Sequence, residues 1–250
     1  MKLLKLTCCI ATFGIFCFSR AYCQTAGSDS AYLATRITNL TNQYNEAIAD
    51  EKHLFNGKEY LSYDKSYLKG HQFFKSDQEQ EGEVHYDGYL YTNVPLLFDV
   101  IQDQIVISEP NGSLQFKLDS KKVAFFKVHG HSFIRLVADT LTEPTIKTGF
   151  YDLLVDGKIN LLAKRSKRIF EGATHRGLEG EFIITDKFFI RQNDKYYPVS
   201  KKKTVLNILV DNKKELQRYS RSQRLKLKKE SREASLIKLV QYYDHLLPEK

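Results

Sequence analysis

The sequence predicts a mainly β protein: an antiparallel meander forming a curved sheet, an open barrel or a sandwich, with a helix before it and helices after it. Three observations carry this prediction. From about Lys58 to Val199 the chain consists of short runs rich in Tyr, Phe, Val and Ile. Turn dipeptides separate the runs: Asp87-Gly88, Asn111-Gly112, Asp156-Gly157 and the weaker Asn193-Asp194. The links are too short for crossover helices, so successive strands are antiparallel neighbours.

The first segment is a leader. Lys2 and Lys5 precede an apolar run from Leu6 to Phe18, followed by Arg20-Ala21-Tyr22-Cys23-Gln24. A positive start, a short apolar middle and small residues at a cut site describe a secretory signal. Cleavage before Gln24 divides the chain into a signal peptide (1–23), a linker with an N-terminal helix (24–56), an antiparallel β domain (57–199) and a basic helical segment packed on it (200–250). The expected location is the periplasm or the extracellular space. A rival reading makes Cys23 a lipid-modified terminus, although Tyr22 is larger than the residue that normally precedes such a cysteine. All four cysteines (Cys8, Cys9, Cys17, Cys23) lie in the leader. The mature chain then has no thiol, which excludes disulfides, thiolate nucleophiles and Cys-ligated zinc. Beyond the first 25 residues no apolar run reaches the roughly 18–20 residues a membrane-spanning helix needs.

The N-terminal helix is read from Leu33, Ile37, Leu40, Tyr44 and Ile48, which step along one helical face, with Ser28 or Ser30 as cap. Asn56-Gly57 ends it. Strands are expected at Leu114–Leu118, Val94–Ile101, Ile105–Ser108, Val123–Val128, Ser132–Val137, Phe188–Arg191 and Lys195–Val199. Thr204–Leu209 reads as a short helix. Asp211 is placed to cap Asn212–Arg221, and Ser231 to cap a last helix whose stripe is Leu236, Val240, Tyr243 and Leu247. Pro248 ends that helix.

Charge is local. Removing Lys2, Lys5 and Arg20 from the 38 basic residues leaves 35 against 30 acidic ones. Residues 200–232 alone hold 12 basic and 3 acidic residues, so the rest of the mature chain is net acidic. Lys201, Lys202, Lys203, Lys213, Lys214, Arg218, Arg221, Arg224, Lys228 and Lys229 are the candidate contacts to an anionic surface. In an exported protein the fitting polyanions are lipid headgroups, lipopolysaccharide phosphates and acidic polysaccharides; nucleic acid does not fit the compartment. The same charges also suit a solvated helical face balanced by the acidic body.

Three stretches look familiar together: Gly149–Arg165, then Phe188–Arg191 with Tyr196-Tyr197-Pro198-Val199, then Leu236–Leu247 with its Tyr242-Tyr243-Asp244. In these the chain resembles a group of uncharacterised exported proteins of Bacteroidota. The resemblance implies export from a two-membrane bacterium and a β-rich body with a helical tail. It implies no activity and no catalytic residues.

Patterns that imitate chemistry are weak. Ser62-Tyr63-Asp64-Lys65, Tyr91-Thr92-Asn93 and Lys147-Thr148-Gly149 follow the order of the serine β-lactamase motifs. That chemistry needs the serine at the start of a buried helix, and Ser66–Gln72 is polar and broken by Gly70. Ser200–Lys203 repeats the first motif by chance in a Lys-rich chain. His129-Gly130-His131 puts two imidazoles on one face, a spacing able to bind a metal, with Asp139 or His85 as conceivable third ligands. A pair of turn histidines beside glycine explains the same residues. Asp99 with Asp103, or Glu79, Glu81 and Glu83, offer carboxylates to a glycosidase, but the first pair also fits a strand end and the others a solvated loop. Glu171–Gly180, with His175, is the most Gly-rich stretch and reads as a mobile loop on the rim of any site. It lacks dinucleotide and phosphate-loop spacings, so no cofactor is expected.

The expected function is therefore that of an exported non-catalytic envelope protein. It would bind an apolar or lipid-like ligand in the concave sheet face, or another envelope component. A hydrolase acting on envelope or polysaccharide material is the alternative, and a structural or adhesive surface protein the second.

Overall fold

A computed structural model of the chain describes residues 35–41, 43, 54–63, 65–109, 114–139, 142 and 145–247. The expected leader, the candidate caps Ser28 and Ser30, the stripe positions Leu33, Tyr44 and Ile48, the turn expected at Asn111-Gly112 and Pro248 lie outside these residues. Residues 35–41 form helix α1, on which Ile37 and Leu40 are exposed.

Fourteen strands follow among the described residues: β1 Lys58–Glu59, β2 Leu68–Lys69, β3 Gln80–Tyr86, β4 Tyr89–Asp99, β5 Gln104–Ser108, β6 Gln115–Lys117, β7 Val123–Val128, β8 His131–Leu136, β9 Gly149–Val155, β10 Asn160–Lys164, β11 Lys167–Thr174, β12 Gly177–Ile184, β13 Lys187–Gln192 and β14 Lys195–Val199. Three helices close the chain: α2 Lys202–Ile208, α3 Lys213–Ser222 and α4 Arg232–Leu246. Eleven strands form one antiparallel sheet in the order β1-β6-β5-β4-β3-β7-β8-β9-β10-β13-β14. It grows in both directions from β3, so the chain must return from β6 to lay β7 beside β3. β11 and β12 leave this sheet as a hairpin and pair with β2 in a three-stranded sheet, where β2 and β12 run parallel.

The mainly β, antiparallel architecture is the one predicted, and the turns explain much of it. Asp87 and Gly88 have φ of 50° and 88°, and Asn193 and Asp194 have 50° and 59°. Both positions in a two-residue hairpin turn of this kind need positive φ, which Asn, Asp and Gly tolerate best. His129 and Gly130 (52° and 74°) form a third such turn, between β7 and β8. Asp156-Gly157 behaves differently. Four residues separate β9 from β10, and a Cβ on Gly157 would lie 2.4 Å from Asp244 Oδ2. Its glycine is required by a close approach rather than by a turn angle. The Glu171–Gly180 stretch is strand as well, paired in register from Lys167↔Ile184 to Thr174↔Gly177. The Gly-rich loop expected there is a hairpin.

The large sheet is strongly curled. β4 and β9 are four strand spacings apart in sheet order, about 19 Å in a flat sheet. Yet the rings of Phe98 (β4) and Phe150 (β9) lie 6.0 Å apart. Between them pack Phe126 and Phe133, stacked at 4.7 Å. Curling removes these four rings from water, and all are at most 1% exposed. Further along the same face, Leu161, Ala163, Phe188 and Ile190 pack against Val205, Leu209, Leu216, Leu236, Leu239, Val240 and Tyr243 of the helical tail. Burying a side chain of this size stabilises by about 1.5–3 kcal/mol, so the tail is an integral part of the second core.

The helix starts are capped otherwise than expected. Asn212 rather than Asp211 occupies the cap position of α3, without a side-chain cap bond. Ser231 occupies the expected cap position of α4, but its hydroxyl donates to the carbonyl of Lys226 at 2.7 Å and makes no cap bond to the helix N–H groups. Among the described residues no helix is long and apolar enough to cross a membrane.

Candidate functional site

Buried charge gathers where the two halves of the sheet face meet. Register places Asp152 opposite Phe133 on one side and Ala163 on the other, so it sits at the seam between the aromatic core and the helix-covered core. It is fully buried. Arg165, just past the end of β10, donates to Asp152 Oδ2 from Nε and Nη2 at 2.8 and 2.6 Å. The same guanidinium reaches Asp186, between β12 and β13, at 2.8 Å, and Glu233 of α4 at 2.6 and 2.9 Å. One cation thus joins three carboxylates from three parts of the chain. Burial alone would lower the Arg165 pKa, but the bonds to Glu233, Asp152 and Asp186 outweigh it and the net shift is upward.

His131 completes the cluster. Its Nδ1 lies 2.7 Å from Asp152 Oδ2, and its Nε2 lies 2.7 Å from Lys75 Nζ. An ammonium can only donate, so Nε2 is the acceptor and Nδ1 carries the proton given to Asp152. Phe74 meets the ring edge-to-face at 5.1 Å, with the Arg165 guanidinium 5.4 Å from the Phe74 ring centre. These groups line a cavity of about 360 Å³ together with Lys167 and Ile184. Lys167 Nζ donates to the carbonyls of His71 and Phe73, both at 2.7 Å.

The two histidines whose spacing could suit a metal do share a face, since Phe74 packs edge-on to both rings. His131 is held by Asp152 and Lys75 instead. His129 occupies a hairpin turn, and its pKa is lowered by burial, with Lys75 and His131 adding to the effect. His85 stacks on Phe125, on the opposite sheet face. Among the described residues no three His, Cys, Asp or Glu side chains form a metal-binding group.

The carboxylate pair separates in function. Asp99 ends β4, accepting from Tyr60 Oη at 2.9 Å and from the N–H groups of Ile101 and Gln102 at 2.8 and 3.0 Å. It is a satisfied turn cap. Asp103 instead bonds Lys164 Nζ at 2.6 Å and the N–H of Phe150 at 3.1 Å, fastening the β4–β5 turn to the far side of the curl. Glu83 pairs with Lys127 at 2.7 Å across the β3–β7 ladder, and Glu79 takes the Ser108 hydroxyl. Ser62 accepts from Gln72, and Lys65 pairs with Glu171, so the Ser-x-x-Lys residues serve local contacts rather than a helix start.

The basic tail is folded into two surfaces. Lys202 and Lys203 of α2 and Lys213 of α3 line an open groove of about 400 Å³ with Leu206, Asn207 and Gln217. On α3, Lys214, Arg218 and Arg221 are spaced four and three residues apart and form one stripe, on the side away from buried Leu216 and Ser220. Lys201, Arg224, Lys228 and Lys229 are exposed. Of these ten cations only Arg218 has an ion pair among the described residues, with Glu215 at 3.3 Å.

Sequence reasoning missed the Arg165 cluster because its members are as far apart as Lys75 and Glu233. The one available signal was Asp152 itself, a charge inside the apolar run Gly149–Val155. No protein-family model matches the chain, and no curated protein or solved structure matches it.

Proposed function

We propose that the chain is an exported, non-catalytic envelope protein that binds an anionic, phosphate-bearing lipid surface through its helical tail. The observation that carries this reading is the groove of Lys202, Lys203 and Lys213, none of which has an acidic partner among the described residues. Electrostatics within the fold do not account for them. Lys202 and Lys203 begin α2, and Lys213 and Lys214 begin α3. The helix dipole opposes positive charge at these ends, each by about 0.3–1 kcal/mol. An anionic surface would relieve that cost. The signal-like N-terminus and the resemblance to exported Bacteroidota proteins support the compartment. The aromatic filling of the concave sheet face favours the tail over that face as the contact.

A hydrolase reading would rest on the Asp152–His131 pair. A general base needs a free imidazole nitrogen facing the substrate, and Nε2 faces Lys75 instead. The binding reading is therefore preferred.

Sedimentation with vesicles tests it. The purified protein should pellet with vesicles containing phosphatidylglycerol but not with pure phosphatidylcholine, and high salt should release it. Lys202→Gln, Lys203→Gln and Lys213→Gln together should abolish pelleting. Equal binding to both vesicle types, or no binding to either, would overturn the proposal.

A further inference from the structure

A second cavity, of about 460 Å³, opens at the ends of β10, β13 and β14 beside the 145–147 segment and the start of α4. Its volume falls in the range of small-molecule sites, roughly 300–1,000 Å³. The apolar part of the wall includes Tyr151 and Phe189, both buried, on one sheet face with their ring centres 5.9 Å apart. Tyr151 also fixes the polar rim, because its hydroxyl donates to the Lys147 carbonyl at 2.8 Å and accepts from the Lys147 N–H at 3.0 Å.

The charge of this cavity is unbalanced. Lys147, Lys164, Lys187 and Arg232 line it against one acid, Asp186. Asp186 is already committed, to Arg165 through Oδ2 and to the N–H of Ser166 through Oδ1. Lys164 is neutralised by Asp103. The remaining three cations have no ion pair among the described residues. Two of the four sit where the fold disfavours them. Register sets Lys187 directly opposite Lys164 on the neighbouring strand, and like charges so placed repel. Arg232 is the first residue of α4, against the helix dipole, and its buried Nε has no hydrogen-bond partner. A buried donor left unpaired costs free energy.

We infer that this cavity is a binding site for a small amphiphilic organic anion, an aromatic or short acyl body carrying one phosphate or carboxylate. The apolar body would lie against Phe189 and Tyr151, and the anionic group would face Arg232 and Lys187. This site is separate from the groove of α2 and α3, and neither proposal depends on the other.

Calorimetric titration of the full chain with phenyl phosphate tests the inference. One-to-one binding is expected, with inorganic phosphate weaker and benzyl alcohol silent. Arg232→Gln and Lys187→Gln should each weaken phenyl phosphate by about tenfold or more, as expected for losing a charged hydrogen bond. Lys187 is exposed, so its variant keeps the test valid even where Arg232→Gln perturbs folding. Absence of binding would overturn the inference. So would binding unchanged in both variants, or binding lost only when Lys202, Lys203 and Lys213 are replaced by Gln.

Discussion

Arg165 grips Asp152 through two nitrogens on one carboxylate oxygen, at 2.8 and 2.6 Å, with both side chains almost wholly withdrawn from solvent. Removing one member of such a pair strands the other, and the fold then holds an uncompensated charge. Arg165→Leu, which leaves three carboxylates facing one another, should lower the unfolding free energy by about 3–5 kcal/mol in urea denaturation. Asp152→Asn keeps the shape and removes only the charge. It should cost about 1.5–3 kcal/mol, the worth of a hydrogen bond to a charged group. A loss below about 1 kcal/mol in Arg165→Leu would show that the cluster is not a structural anchor.

The contact between Gly157 and Asp244 fastens α4 to the β9–β10 link. Asp244 Oδ1 accepts from the N–H groups of Lys158 and Ile159, at 2.6 and 3.3 Å. Gly157→Ala would drive a methyl group into this carboxylate. Gly157→Ala and Asp244→Ala should each destabilise, and the double variant should lose clearly less than the sum, because the clash disappears with the carboxylate. Strict additivity in thermal unfolding would contradict the shared contact.

His129 gives the protein an acid sensitivity. Its pKa is lowered in the fold, by burial first, so near its ordinary value of 6.5 the unfolded chain takes up a proton before the folded one does. Stability therefore falls as pH drops through that value, and the loss is complete below the folded pKa. His129→Asn removes the titration, and asparagine before Gly130 suits the φ of 52°. The thermal midpoint of this variant should fall less between about pH 7 and pH 5 than that of the parent. His71, also lowered by burial, leaves a residual slope.

Charge at the helix starts should set stability against binding. Lys202→Glu and Lys203→Glu place acids where the α2 dipole favours them, for about 0.3–1 kcal/mol each. The double variant should melt higher than the parent and yet fail to pellet with phosphatidylglycerol vesicles. A lower melting point would mean that the lysines support the fold.

Mass spectrometry of protein recovered from an exporting bacterial host addresses the leader. The expected mature chain starts at Gln24 and contains no cysteine. A diacylglyceryl mass on Cys23 would establish the lipoprotein reading instead, and an intact Met1 would exclude processing.

Local chemistry made the hairpins legible. Asp87-Gly88 and Asn193-Asp194 announced their turns because few residues accept positive φ, and the runs rich in Tyr, Phe, Val and Ile on either side marked the strands. The α4 stripe was legible too: Leu236, Val240 and Tyr243 are all fully buried. His129-Gly130 was open to two readings, ligand spacing or a turn beside glycine, and the φ values of 52° and 74° select the turn. The cap of α3 falls on Asn212 instead of Asp211, and Ser231 holds the cap position of α4 while its hydroxyl finds a competing partner in the Lys226 carbonyl.

By itself the sequence determined the mainly β class, the hairpin turns, the helical ends and that successive hairpin strands pair antiparallel, because those outcomes depend on neighbours a few residues away; the β11–β12 hairpin escaped it. Only the tertiary structure decided that the sheet curls until Phe98 meets Phe150, and that Lys75, His131, Asp152, Arg165, Asp186 and Glu233 converge. Such contacts arise from burial of apolar faces and from pairing of desolvated charges. Both are set by distances in space that no local periodicity encodes.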